Sequence, residues 1–349
     1  MDHRFTLTAA LALILAGCGS DTDCSIASCP DGSGGGIGGG VGGTGLATLD
    51  ENNTLAAIRE AWFAAATTAE LPGFVVATGI GDTSGGVATA IDAAAKTGFR
   101  NRVSLAPFGP TVYNCPVSGQ FTASGDVEDP NTVTAGDTTT YESTSCDSGT
   151  GYTVDGSITI AINSIDGDPN SSSYLQDQTM TFTDWTAATA TLTTNLAGDH
   201  TAAIDTRNAA EFYTIFAGNS LVIVEQGITL SVGSYSGLLT DLPASNSLLL
   251  DADGNANSSL IIGSVNYGML ETFVQTVGGS PTDGIFEIFG LNGGTARFAI
   301  VTDTIVRVQL DANASGNYEI STDMTWDEFL AGSVPLISAN TVYTPDEPE

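Results

Sequence analysis

Apart from His3, the chain has a single histidine, His200, in the string Gly198-Asp199-His200. A hydrolytic triad needs an imidazole that is held by a carboxylate and touches a nucleophile. Asp199 is adjacent to His200, and on a strand neighbouring residues point to opposite faces. His200 therefore reads as a turn residue without a catalytic role, and one histidine gives the usual zinc sites no ligand set. Carboxylates are abundant, with 40 Asp and Glu. A glycosidase needs only two of them, but among so many acids pairs arise by chance at every separation. Aromatic platforms for sugars are sparse, and the tryptophans are Trp62, Trp185 and Trp326. The best-spaced oxygen donors are Asp251, Asp253, Asn255 and Asn257, which alternate around Gly254 as donors do in calcium loops. Ile262 stands where such a loop has its bidentate glutamate. Asp311, Asn313, Ser315 and Asn317 repeat the pattern and the gap. These residue types also favour tight turns, so turn chemistry is the preferred reading. Ca²⁺ at Asp251, Asp253 and Asn255 is kept as the one cofactor expectation.

Two strings come near catalytic motifs. Gly81-Asp-Thr-Ser-Gly-Gly86 has an inserted threonine relative to a serine-protease nucleophile loop and reads instead as the N-cap of a helix. Gly233-Ser-Tyr-Ser-Gly237 has tyrosine where a nucleophile elbow has serine. Neither carries an activity.

The cysteines are more informative. Phe5 to Leu15 is an apolar run of about eleven residues, too short to span a bilayer but suited to a signal-peptide core. It leads into Leu15-Ala16-Gly17-Cys18, which resembles the lipobox read by lipoprotein signal peptidase. The resemblance implies removal of residues 1–17, acylation of Cys18 and effectively permanent anchoring. By the same analogy, Gly19 after the cysteine points to the outer membrane. The four other cysteines suit a compartment that permits disulfides. Cys24 and Cys29 would close a small loop beside the anchor. Residues 18–46 then form a Gly-rich tether: it lacks the lysine of a P-loop, follows no strand and opens no helix.

The formal net charge is −32, with only 8 Lys and Arg. Such a chain is repelled by nucleic-acid phosphates, so nucleic-acid binding is excluded. It is equally repelled by anionic lipid headgroups unless divalent cations bridge.

The elements that would position any site are read from periodicity. Asn53 to Ala69 is expected to be helical, with Asn53 or Thr54 as cap and Leu55, Ile58, Trp62, Ala65 and Ala66 on one face. A second helix is expected over Gly86–Lys96. Residues 47–100 form a helical segment packed on a β domain spanning 101–343, followed by an acidic tail at 344–349. From Val103 the pattern has period two: Ile158, Ile160 and Ile162, then Met180 and Phe182, then Val306, Val308 and Leu310. Leu221-Val-Ile-Val224 and Leu260-Ile-Ile262 read as strands buried on both faces. The fold expectation is mainly β, an antiparallel β-sandwich or open barrel-like sheet with two short N-terminal helices. A transmembrane barrel ranks second, since no strand run shows aromatic girdles.

A disulfide follows from one turn. Asp129-Pro-Asn-Thr132 reads as a type I turn, and folding the chain back there opposes Val117 to Thr144, Phe121 to Thr140 and Cys115 to Cys146.

The body resembles threonine- and glycine-rich β lipoproteins of Gram-negative bacteria. The likeness rests on Cys115-Pro-Val-Ser-Gly119, Thr134-Ala-Gly-Asp-Thr138, Cys146 and Asp155-Gly-Ser-Ile-Thr-Ile160. It continues in Thr304-Ile-Val-Arg-Val-Gln-Leu-Asp311 and Thr325-Trp-Asp-Glu-Phe329. It covers about a third of the chain and implies no catalytic residues. The functional expectation is a non-enzymatic envelope lipoprotein, joined to a membrane by its lipid anchor, with a β body that binds a protein, glycan or lipid or assembles with itself. The competing expectations are a carboxylate-based glycan hydrolase and a lipid carrier with an apolar groove.

Overall fold

The computed structural model describes residues 45–71 and 108–331, less the connection residues 116, 129–132, 148–152, 169–172, 189–192, 226–227 and 277–279. The expected signal peptide, Cys18, Cys24, Cys29, the tether to residue 44, the Gly81–Gly86 string, the helix at Gly86–Lys96, the Asp129–Thr132 turn and the acidic tail lie outside the described residues.

Among the described residues fourteen strands follow one another in chain order. They are β1 (Phe108–Asn114), β2 (Ser118–Asp126), β3 (Thr138–Asp147), β4 (Thr153–Asp168), β5 (Ser173–Ala188), β6 (Thr193–Asp205) and β7 (Phe212–Glu225). Then come β8 (Ile228–Leu242), β9 (Ser247–Ser258), β10 (Ser264–Thr276), β11 (Pro281–Phe289), β12 (Thr295–Thr302), β13 (Ile305–Asp311) and β14 (Ile320–Thr325). Each pairs antiparallel with the next, so the architecture is a single up-and-down sheet that is not closed. The open-sheet expectation is met, and the sandwich gives way because one sheet contains every named strand.

The alternation expected from sequence sets the faces. Ile158, Ile160, Ile162, Met180, Phe182, Val306, Val308 and Leu310 are all buried on the covered side. Leu221 and Ile223 are buried while Val222 and Val224 are half-buried, so that run alternates rather than burying both faces. Leu260-Ile-Ile262 is not a strand but the β9–β10 connection, and Ile262 is 89% exposed. The opposite face is polar. Thr140 and Thr159 hydroxyls share a hydrogen bond at 2.9 Å, Thr181 donates to Asp199 at 2.7 Å, and Ser236 donates to Asp253 at 2.8 Å. A membrane-spanning barrel has an apolar lipid-facing band, whereas this open sheet turns its apolar side inward. Among the described residues no helix is long and apolar enough to cross a membrane.

The described helices are α1 (Thr54–Glu70) and α2 (Trp326–Ala331), so the second described helix lies after β14. Leu55, Ile58, Trp62 and Ala65 are buried as expected, and Ala57, Ala61 and Ala64 are buried too. The small alanines allow α1 to lie close across β7–β12. Asn53 sits at the N-cap position without a capping bond. Instead the Asp50 carboxylate accepts the Asn52 and Asn53 amides, and Asn53 donates to the Thr48 carbonyl. Trp62 anchors the helix in an aromatic cluster with Phe273, Phe286, Phe298 and Trp326 at centroid separations of 4.6, 5.6, 5.3 and 6.1 Å. Phe329 of α2 closes it, 4.7 Å from Phe298.

Cys115 and Cys146 are bridged, with Cα atoms 5.5 Å apart. The expected register is not the observed one. Phe121 faces Ser143 rather than Thr140, a shift of three residues, and Gln120 rather than Val117 faces Thr144. Two local devices explain the difference. The Asp137 carboxylate accepts the Glu128 amide and both the amide and hydroxyl of Thr134, while Gly136 and Asp137 pair with Ile162. The β2–β3 connection is thereby wide and pinned to β4. At the other end Cys115 is in the turn between β1 and β2, donating its amide to the Gly119 carbonyl. A bulge between Ser118 and Gln120 restores the reach to Cys146. Gly119 has φ +75°, and a Cβ there would stand 1.9 Å from the Ser145 carbonyl oxygen, so only glycine fits.

The chain joins the sheet at a defined point. Leu46 pairs in parallel with Ser264; the Ala47 amide donates to the Ser264 carbonyl, and the Leu291 amide donates to the Ala47 carbonyl.

Candidate functional site

His200 is not in a turn. It lies on β6, is 0% exposed, and faces the covered side while Asp199 faces outward. Its cross-strand partner on β5 is Met180. The imidazole stacks on Phe216 of β7 at 6.1 Å and on Tyr235 of β8 at 5.8 Å. To reach it, the Tyr235 ring crosses β7 at Gly218, where a Cβ would come within 2.2 Å of the phenol oxygen. That close approach requires glycine. The phenol donates to the Asp199 carbonyl at 3.3 Å and lies 3.0 Å from His200 Nδ1. Among the described residues His200 Nε2 has no hydrogen-bond partner.

A second polar pair lies on β5. Gln176 Nε2 donates to Gln178 Oε1 at 2.7 Å, and both side chains are buried. Among the described residues Gln178 Nε2 has no partner. Gln178 pairs with Ala202, so it sits diagonally from His200 on the same face.

Burial sets the electrostatics. It lowers the His200 pKa to about 3, so the ring is neutral at ordinary pH. It raises the phenols of Tyr235 and Tyr267 well above their usual range, helped by the charge of Asp253 for Tyr267 and of Asp199 for Tyr235. Asp241 on β8 is raised to about 6 by burial, and its Oδ2 lacks a partner. Its cross-strand neighbours are Phe212 and Leu248, neither a carboxylate.

The calcium candidates fall elsewhere. Asp251, Asp253 and Asn255 occupy alternate positions of β9, a strand and not a loop. Asp253 takes the Ser236 hydroxyl, and Asn255 donates to the Val265 carbonyl and to Asn266. Burial, and then the neighbouring charge of Asp253, raise the Asp251 pKa. Among the described residues no group of three or more His, Cys, Asp or Glu converges as metal ligands do. The Asp311 segment is a turn: its carboxylate accepts the Ser315 and Gly316 amides at 3.0 and 2.6 Å.

Sequence reasoning passed over the His200–Tyr235 pair. The one available signal was parity: His200 shares the alternation of Ala202 and Ile204, both buried. Comparison with known proteins adds no assignment, since no family model, curated protein or solved structure matches the chain.

Proposed function

We propose that the chain is a non-enzymatic cell-envelope lipoprotein: an acyl anchor on Cys18, a glycine-rich tether and a rigid antiparallel body. The observation that carries this reading is the way the chain enters the fold. Immediately after the tether, residues Gly45 to Ala47 are stitched to Ser264 and Leu291 at one end of the sheet. A glycine-rich segment that joins a rigid body at a single end is the arrangement of a tethered display platform. The only histidine beyond the signal region is sealed in the interior as a neutral ring, in keeping with a body that binds rather than catalyses. The test is metabolic labelling with radioactive palmitate, followed by fractionation. The native chain is expected to carry label and to sediment with membranes, and Cys18→Ser to lose both. Unlabelled native chain in the soluble fraction would overturn the proposal.

A further inference from the structure

Because consecutive strands alternate in direction, the connections fall at two ends of the sheet. At one end are the connections that follow odd-numbered strands, and there the chain also enters through Leu46 and Ala47. At the other are those that follow even-numbered strands. Their compositions differ sharply. The entry-end connections are, by sequence, Cys-Pro-Val, Ser-Gly-Thr-Gly-Tyr, Thr-Ala-Thr-Leu, Gln-Gly, Ser-Leu-Ile-Ile-Gly, Gly-Leu-Asn-Gly-Gly and Ala-Asn-Ala-Ser-Gly-Asn-Tyr-Glu. Their sole charged residue is Glu319, which accepts the Ala312 amide. The far-end connections hold Glu128, Asp129, Asp137, Glu211 and Asp303 against one base, Arg207.

The entry end also carries exposed apolar side chains that the fold does not use. Leu260 is 48% exposed and Ile262 89% exposed in the β9–β10 connection, and Val117 is 64% exposed beside Cys115. Phe289 and Leu291 are exposed around the β11–β12 connection. The Leu291 amide and the Ser264 carbonyl grip Ala47 between these two connections, so the exposed side chains flank the point where the tether leaves.

We propose that this end lies on a lipid bilayer, with Leu260, Ile262, Leu291 and Phe289 reaching into the interfacial region. The proposal rests on the anchored-lipoprotein reading and adds the orientation of the body. Length permits it: residues 18–44 lead from the proposed anchor to Gly45, and glycine-rich chains of that length in general span roughly 25–30 Å. Charge decides which end can approach. A body of net charge −32 is repelled by anionic headgroups. The entry end, whose connections hold only Glu319 as an acid and whose strands end in Asp147, Glu225 and Asp311, is the less acidic of the two. It keeps most of the acids farther from the surface, where screening weakens the repulsion. Exposed leucine, isoleucine and phenylalanine side chains then gain by burial in the interface.

The experiment uses the full chain, purified with its own anchor and reconstituted in phosphatidylethanolamine–phosphatidylcholine vesicles, with or without brominated acyl chains. Trp62, Trp185 and Trp326 are buried, so Ile262→Trp and Asp303→Trp each add one exposed reporter, at opposite ends. We expect Ile262→Trp to emit at shorter wavelength and to lose about half its added emission in brominated vesicles, as a side chain seated in the interface would. Asp303→Trp should not change. A chain that floats with the vesicles while Ile262→Trp stays unquenched would overturn the orientation and leave the anchor standing. A chain that does not float would overturn the anchor and the orientation together.

Discussion

The covered face has two halves that are packed differently. Over β9 to β14 it is closed by α1 and α2 with a continuous aromatic cluster around Trp62. Over β5 to β8 it buries Gln176, Gln178, His200, Thr214 and Asp241 among Met180, Phe216 and Tyr235. Among the described residues Gln178, His200 and Asp241 keep an atom without a hydrogen-bond partner, and so do Trp62 and Thr67 of α1 and Tyr267 of β10 in the aromatic half. A buried polar atom left unpaired costs about 1–3 kcal/mol, while apolar contacts gain with every atom removed from water. Both halves bear that cost, and the halves differ in the aromatic packing that offsets it over β9 to β14.

The contrast predicts opposite responses to deletion. Trp62→Ala empties the centre of the aromatic cluster and should cost about 4 kcal/mol by urea unfolding. A loss under about 1 kcal/mol would mean the cluster does not hold α1 to the sheet. Next in size is the bridge at the sheet's first edge. It closes a separation of 31 residues, and Cys146→Ser should lower stability by about 3–4 kcal/mol in the chain-entropy model. Full stability in that variant would show that register and bulge alone hold β1 to β3.

His200 gives the third prediction. Its folded-state pKa is lowered from 6.5 to about 3 by burial, so the unfolded chain takes up a proton that the folded chain refuses. Stability from the neutral ring is present above the unfolded value and is lost as pH falls from there towards 3. Between pH 7 and pH 5 the native chain should lose about 2 kcal/mol relative to His200→Phe. Asp241 works the other way: raised to about 6, it favours the folded state as pH drops below that value. The two partly cancel in the native protein, so the quantity to measure is the difference between native and variant. Parallel curves would contradict the burial of His200. The smallest effect is Gln178→Leu, which removes the orphaned amide nitrogen and should leave stability unchanged or raise it by about 1 kcal/mol. A drop of that size would show that the Gln176–Gln178 hydrogen bond outweighs the orphaned nitrogen.

These halves differed in legibility for the same reason. Leu55, Ile58 and Trp62 announce α1, and Ile158, Ile160 and Ile162 announce β4, because apolar periodicity is a local signal. β6 reads Thr-Thr-Asn-Leu-Ala-Gly-Asp-His-Thr-Ala-Ala-Ile-Asp, too polar to declare a strand, so His200 passed for a turn residue. Its tyrosine partner lies 35 residues away and is brought near only by the pairing of three strands. Asp251-Ala-Asp-Gly-Asn suggested a loop because oxygen donors at alternate positions suit a calcium loop and one face of a strand equally. Leu260-Ile-Ile262 suggested a strand because an apolar run normally means burial, and here only Ile261 is buried while Leu260 and Ile262 are exposed. The Cys115–Cys146 partnership was legible and its register was not, since the Asp137 turn and the Gly119 bulge offset each other by amounts that periodicity does not encode.

The account turns on what holds this body at the envelope, and the intact mass of the chain extracted from membranes measures that directly. A polypeptide beginning at Cys18, heavier by a diacylglyceryl group with or without a further acyl chain, is the expected result. An unmodified mass, or an N-terminus at any other residue, would contradict it.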